Sequence, residues 1–208
     1  MAIKPILFNT EMVRAILDRR KDATRRIVKG FIPDDAVWGY TAFTPKGYIS
    51  CRGTFADGYG EKFFKLPCEP GDILYVRETW KKAPNGYYYY EGWQRNDIAD
   101  ITKWKPSIHM PKEAARIWLK VMNVRVERLQ EITDEQAKRE GIQYDECPTG
   151  FTWKQETDMH NCYTTPIGAM QALWNSTIKK SDIDRYGWDA NSYVWVIEFE
   201  RCEKPEGV

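Results

Sequence analysis

Three residues, Lys21, Thr24 and Glu78, could together perform acyl transfer, because they supply an amine, a hydroxyl and a carboxylate. The hydroxyl attacks a carbonyl, the amine or the carboxylate takes its proton, and the third group orients the reactants or returns the proton. Lys21 and Thr24 lie in "LDRRKDATRRIVKG", where six of fourteen residues are Lys or Arg. Glu78 lies in "PGDILYVRETW". A strand over residues 73–80 would put Leu74, Val76, Glu78 and Trp80 on one face, turning a carboxylate inward. An inward carboxylate is paired, protonated or functional.

The base is left open between two arrangements. A lysine titrates near 10.4, so a role as base near neutral pH needs a depression of about 3 units. Burial and Arg19, Arg20, Arg25 and Arg26 push Lys21 that way, and an ionised Glu78 pushes back. Neutral Lys21 with protonated Glu78 is the preferred arrangement, because inward placement raises a carboxyl pKa. The other has a charged Lys21 and Glu78 as base. Structural roles stand beside these: Lys21 as a helix C-terminal cap, Thr24 as a strand residue, Glu78 as an ion-pair partner of an arginine.

The four arginines form either a solvated helix end and edge strand or a clamp for phosphate. With Lys103 they could line a groove for a nucleic-acid strand. Trp80, Trp93 and Trp104 could stack on a pyrimidine or pack in a core or lid. His109, in "PSIHMP", sits on backbone expected to be stiff and extended, as a base, a base-edge contact or an ordinary loop residue. Cys147, His160 and Cys162 have no zinc-like spacing and lack a fourth ligand, so neither a metal nor a cofactor is expected.

Several elements must position these groups. A helix is expected over residues 11–20, capped by Asn9 or Thr10 and packed through Val13, Ile16 and Leu17. Residues 24–28 read as extended, and residues 30–65 as one or two hairpins. Tyr87 to Tyr90 read as a hairpin strand. Residues 117–129 read as one long strand, or as two strands with a bend near Asn123. Thr133 and Gln136 form a capping box for a short helix stopped by Gly141. Residues 141–164 read as an insertion loop. Thr165 and Pro166 open another helix, and "SYVWVIEFERC" reads as a buried strand.

The chain has 208 residues and a net charge of +1, which argues against broad nonspecific binding to nucleic acid. Without an apolar run of about 18 residues no membrane span is expected. The N-terminus lacks a signal-peptide pattern, and the five cysteines are odd in number and scattered, which fits reduced thiols and a cytoplasmic location.

The segments "ILFNTEMVRAILDRRKDATRRIVK" and "PGDILYVRETW" resemble the ASCH family, a branch of the PUA-like superfamily. That family opens with a helix ending in a glycine–basic–lysine turn, then a threonine and an arginine, and later has a Pro-Gly-Asp turn into an apolar strand. "KWKPSIHMPKEAARIWLKV" and "VWVIEFE" are similar to phage and prophage members. Arg20 stands where many members have the turn glycine or a neighbouring basic residue, and Asp22 where Thr or Ser is usual. The resemblance implies an α+β fold, a small PUA-like β-barrel with flanking helices. It implies one domain over residues 1–208, with insertions at 31–65, 81–115 and 142–165. It further implies a cofactor-free amidohydrolase of N4-acylated cytosine nucleosides or nucleotides, with Lys21, Thr24 and Glu78 as catalytic residues. A noncatalytic RNA- or modified-base-binding module, or a ribonuclease, are the alternatives it leaves. A phage-encoded chain would act in the host cytoplasm.

Overall fold

The computed structural model describes residues 1–95, 103–147, 150–154 and 163–207. The first strand, β1 (Ile3–Leu7), contains Pro5, which is tolerated because β1 lies on a sheet edge. Asn9 caps α1 (Thr10–Leu17), its side chain accepting the Met12 N–H at 2.8 Å. The helix ends before the expected residue 20. Arg19 takes the left-handed conformation at φ 60°, and the Arg20 and Arg19 N–H groups turn back to the Ala15 and Ile16 carbonyls. This is a Schellman ending with arginine in the usual glycine position.

The chain continues through β2 (Ala23–Ile27) into β3 (Val37–Gly39), β4 (Tyr48–Phe55) and β5 (Gly58–Lys65), which form a separate three-stranded antiparallel sheet. Next come β6 (Ile73–Arg77), the hairpin of β7 (Trp80–Ala83) and β8 (Gly86–Tyr89), and α2 (Tyr90–Arg95). Two 3₁₀ turns precede the long β9 (Trp118–Arg128). The capping box of Thr133 and Gln136 opens α3 (Asp134–Arg139). Residues 141–164, expected as a loop, contain an antiparallel pair, β10 (Gln143–Cys147) and β11 (Gly150–Lys154). Thr165 caps α4 (Pro166–Thr177), the short α5 (Ile183–Tyr186) follows, and β12 (Tyr193–Cys202) ends the fold.

The fold is mixed α+β. The main sheet has the order β1-β6-β9-β12-β2, with β1 and β6 parallel and the other pairs antiparallel. β9 is one strand, and its register with β12 shifts where Glu198 pairs Asn123 and Phe199 pairs Val121, leaving Met122 as the extra residue of a bulge beside the expected bend. Ile6, Leu74, Val76, Leu119, Ile197 and Phe199 pack together on one face. On the other, Val194 and Val196 pack against Met170 and Trp174 of α4. Burial on both faces explains the unbroken apolar run in β12.

The strand through Glu78 is shorter than expected. It ends at Arg77, the chain turns, and Trp80 joins Ile73, Met110 and Trp118 in a third cluster rather than following Leu74 and Val76. Among the described residues, no helix is long and apolar enough to cross a membrane.

Candidate functional site

Register on β2 sorts the basic run. Thr24 opposes Ile197 and Arg26 opposes Trp195, so both share the face of the first core. Arg25 opposes Val196 and faces α3 and α4 instead. Arg26 donates to the Leu7 carbonyl at 2.9 Å, a side-chain link between the two edge strands, and lies 5.2 Å from the Phe8 ring centre.

Lys21 precedes β2 and forms a backbone bridge with Glu140, the residue that ends α3. Gly141 makes this approach possible. Its φ is +104°, and a Cβ there would lie 3.0 Å from the Ala15 Cβ. The Lys21 Nζ is fully buried; it donates to Glu140 Oε2 at 2.6 Å and to the Glu140 carbonyl at 2.9 Å. Burial pushes the Lys21 ammonium below its ordinary pKa, against the pull of Glu140, and Arg26 and Arg25 add to the push. The Phe8 ring centre lies 5.7 Å from the same nitrogen.

Thr24 is buried, and its Oγ1 has no hydrogen-bond partner among the described residues. A buried hydroxyl without a partner costs about 1–3 kcal/mol, so it calls for an explanation. Thr24 also borders a cleft of about 260 Å³ against α4, lined by Arg25, Glu140, Met170, Leu173 and Trp174, on the side of β2 to which Arg25 points.

Glu78 is 2% exposed and gripped by a fork: Arg116 Nε and Nη2 donate to its two oxygens at 2.9 Å each. Arg116 also reaches Glu91 at 3.1 Å. Burial raises the Glu78 pKa and Arg116 opposes it. The Glu78 N–H donates to the Met110 Sδ at 3.2 Å. Among the described residues, no hydrogen bond or ion pair joins Glu78 to Lys21 or Thr24; the carboxylate at Lys21 is Glu140. Glu78 still borders the same end of the sheet, since Phe8, beside Lys21 and Arg26, donates its N–H to the Arg77 carbonyl at 3.3 Å.

The other expected binding residues divide. Arg25 is not available as a phosphate clamp, because its side chain is 1% exposed and bonded to Glu140, Glu127 and Gln136. Arg20 donates to the Gly141 carbonyl and pairs with Asp18, whereas Arg19 is exposed and Arg26 partly so. Trp80 is buried under Tyr87 and Lys105 and offers no open stacking face. Trp104 is half-buried and meets Tyr90 edge-on at 5.4 Å. His109 is exposed and closes a 3₁₀ turn begun after Pro106, rather than lying in an extended segment, and Pro111 precedes the next turn. The side chains of Trp93 and Cys147, and the whole of His160 and Cys162, lie outside the described residues. Among the described residues no group of three or more His, Cys, Asp or Glu is arranged to hold a metal ion.

Sequence reasoning missed Glu140 and Arg116. "KREG" reads as an ordinary helix end, and "EAARIW" carries no motif. Only the rule that a buried charge needs a partner pointed to residues of their kind. No family model matches the chain, and neither a curated protein nor a solved structure matches it.

Proposed function

We propose that this chain is an amidohydrolase of N4-acylated cytosine nucleosides or nucleotides, built on a PUA-like barrel of the ASCH type. The Arg26–Leu7 link across the two edge strands supports the barrel reading. One observation carries the reaction: an unpartnered, buried threonine hydroxyl three residues from a buried lysine.

Thr24 Oγ1 bonds to the acyl carbon and passes its proton to neutral Lys21. The tetrahedral intermediate then collapses. The carbon–N4 bond breaks, and the cytosine nitrogen receives the proton held by Lys21, since Glu78 is engaged through both oxygens by Arg116. Water then attacks the acyl-threonine and gives a proton to Lys21, which returns it to Thr24 Oγ1 as the carbon–oxygen bond breaks and the carboxylic acid leaves. Arg26, with no carboxylate bonded to it among the described residues, can hold an anionic or carbonyl group of the substrate. Because Thr24 Oγ1 is covered, admission of the substrate requires the side chains around it to move.

Incubation with N4-acetylcytidine and N4-acetyl-2′-deoxycytidine, with products separated by chromatography, tests the reading. Thr24→Val keeps the shape and removes the unpartnered hydroxyl. The variant is expected to melt at or above the wild-type temperature and to release no acetate. Turnover by Thr24→Val at the wild-type rate, or no hydrolysis of either compound by the wild type, overturns the assignment.

A further inference from the structure

We propose that Glu140 is a positioning residue that fixes the Lys21 amine and sets the pH at which it can accept a proton. The proposal rests on the reading of Lys21 as the base. Its ground is a closed arrangement of charges. Lys21 Nζ gives two bonds to one residue, the Glu140 carboxylate at 2.6 Å and its backbone carbonyl at 2.9 Å. The other carboxylate oxygen is held by Arg25 Nη1 at 3.1 Å. Arg25 is in turn fixed by Gln136 at 3.0 Å and Glu127 at 3.3 Å. Glu140 therefore cannot swing away from the amine without breaking the Arg25 contact as well.

Charged groups approach this amine from several directions. Arg25 and Arg26 come from β2, and Arg19, beyond the end of α1, lines a cleft with Lys21. Glu140 comes from α3, flanked by the Arg139–Asp22 pair at 2.7 Å. From β12 come Glu198, bonded to Arg139, and Glu200 and Arg201, which line the same cleft as Lys21. Among them only Glu140 bonds to the nitrogen. Removing its charge while keeping its shape leaves the ammonium buried among arginines with uncharged acceptors alone. The proton then comes off at lower pH.

Glu140→Gln is expected to lower the Lys21 titration by about one unit or more. The rising limb of kcat/KM against pH moves down by the same amount, which is roughly tenfold more activity on that limb relative to the plateau. Glu140→Asp restores a limb near the wild-type position. Arg25→Met, which removes a repelling cation, moves the limb the opposite way and serves if Glu140→Gln does not fold. NMR of the labelled Lys21 side chain, in protein without substrate, reads the titration directly. That separates the two claims: absence of hydrolysis by the wild type removes the proposed function, whereas the Lys21 titration still tests Glu140. A Lys21 titration unmoved by Glu140→Gln, or for a variant that does not fold by Arg25→Met, overturns the proposal and leaves Glu140 a clamp between α3 and β2.

Discussion

Replacing Arg116 by methionine tests the electrostatics of the buried carboxylates most directly. The guanidinium serves two of them, Glu78 through both oxygens and Glu91 through one, with side chains 2% and 3% exposed. Arg14, 3.6 Å from Glu91, remains for that residue, but among the described residues Glu78 has no second cation bonded to it. Breaking a buried pair from one side costs about 3–5 kcal/mol. Arg116 keeps 29% of its side-chain exposure, so water softens the loss, and the lower end, about 3 kcal/mol, applies at pH 8. The sign with pH follows from Glu78, whose pKa burial raises in the fold. A raised acid holds its proton more tightly when folded, so its contribution is most favourable below the unfolded value, near 4.3, and is lost as pH rises through the folded value. Without Arg116 the folded value climbs further. The variant should therefore lose about 3 kcal/mol at pH 8 but only about 1 kcal/mol near pH 4, where Glu78 is already neutral. Urea unfolding followed by tryptophan fluorescence at the two pH values gives both numbers. Glu78→Gln in the same background should recover most of the loss at pH 8. An equal loss at both pH values, or no recovery by Glu78→Gln, would refute the reasoning.

Two further outcomes follow from local geometry. Arg19→Gly should stabilise the protein by about 1 kcal/mol in urea, because glycine carries no Cβ penalty at φ 60° in the helix ending. An unchanged midpoint would mean that the Arg19 side chain contributes as much as the strain costs. Burial raises the Asp72 pKa, but the Ala2 and Glu69 N–H groups and Lys4 outweigh it and hold the carboxyl below its ordinary value. Asp72→Asn should therefore cost about 1–2 kcal/mol at pH 7. The difference from wild type should shrink as pH falls below about 3.9 toward the folded value, and a constant difference would contradict it.

Where an element announces its own ends, the sequence was enough. Asn9, the Thr133–Gln136 box and the Thr165-Pro166 pair each bond within a few residues of themselves, so their helices start where the side chains require. What the sequence hid depends on distant partners. β1 is a strand because β6, some seventy residues on, pairs with it. The strand through Glu78 stops at Arg77 because Glu78 is drawn to Arg116, thirty-eight residues away, and the turn then delivers Trp80 to another cluster. Alternation along residues 73–80 places Glu78 inward, yet it cannot register a turn that long-range pairing imposes.

The basic run shows the same division between composition and position. Six cations in fourteen residues look like one surface, but strand alternation and the helix ending send them to different tasks. Lys21, just before β2, and Arg25, on it, converge on the single carboxylate of Glu140, and both are buried. Arg20 turns back to the Gly141 carbonyl and Asp18. Arg26 stays on the core face beside Phe8, leaving Arg19 on the surface. Part of the charge density thus neutralises a carboxylate inside the protein, which is consistent with a chain whose net charge is only +1. For an anion near Thr24, Arg26 bonds no carboxylate among the described residues and shares the Thr24 face. A single guanidinium there suits one small anionic or carbonyl group better than a run of phosphates, which needs many cations spaced along a groove.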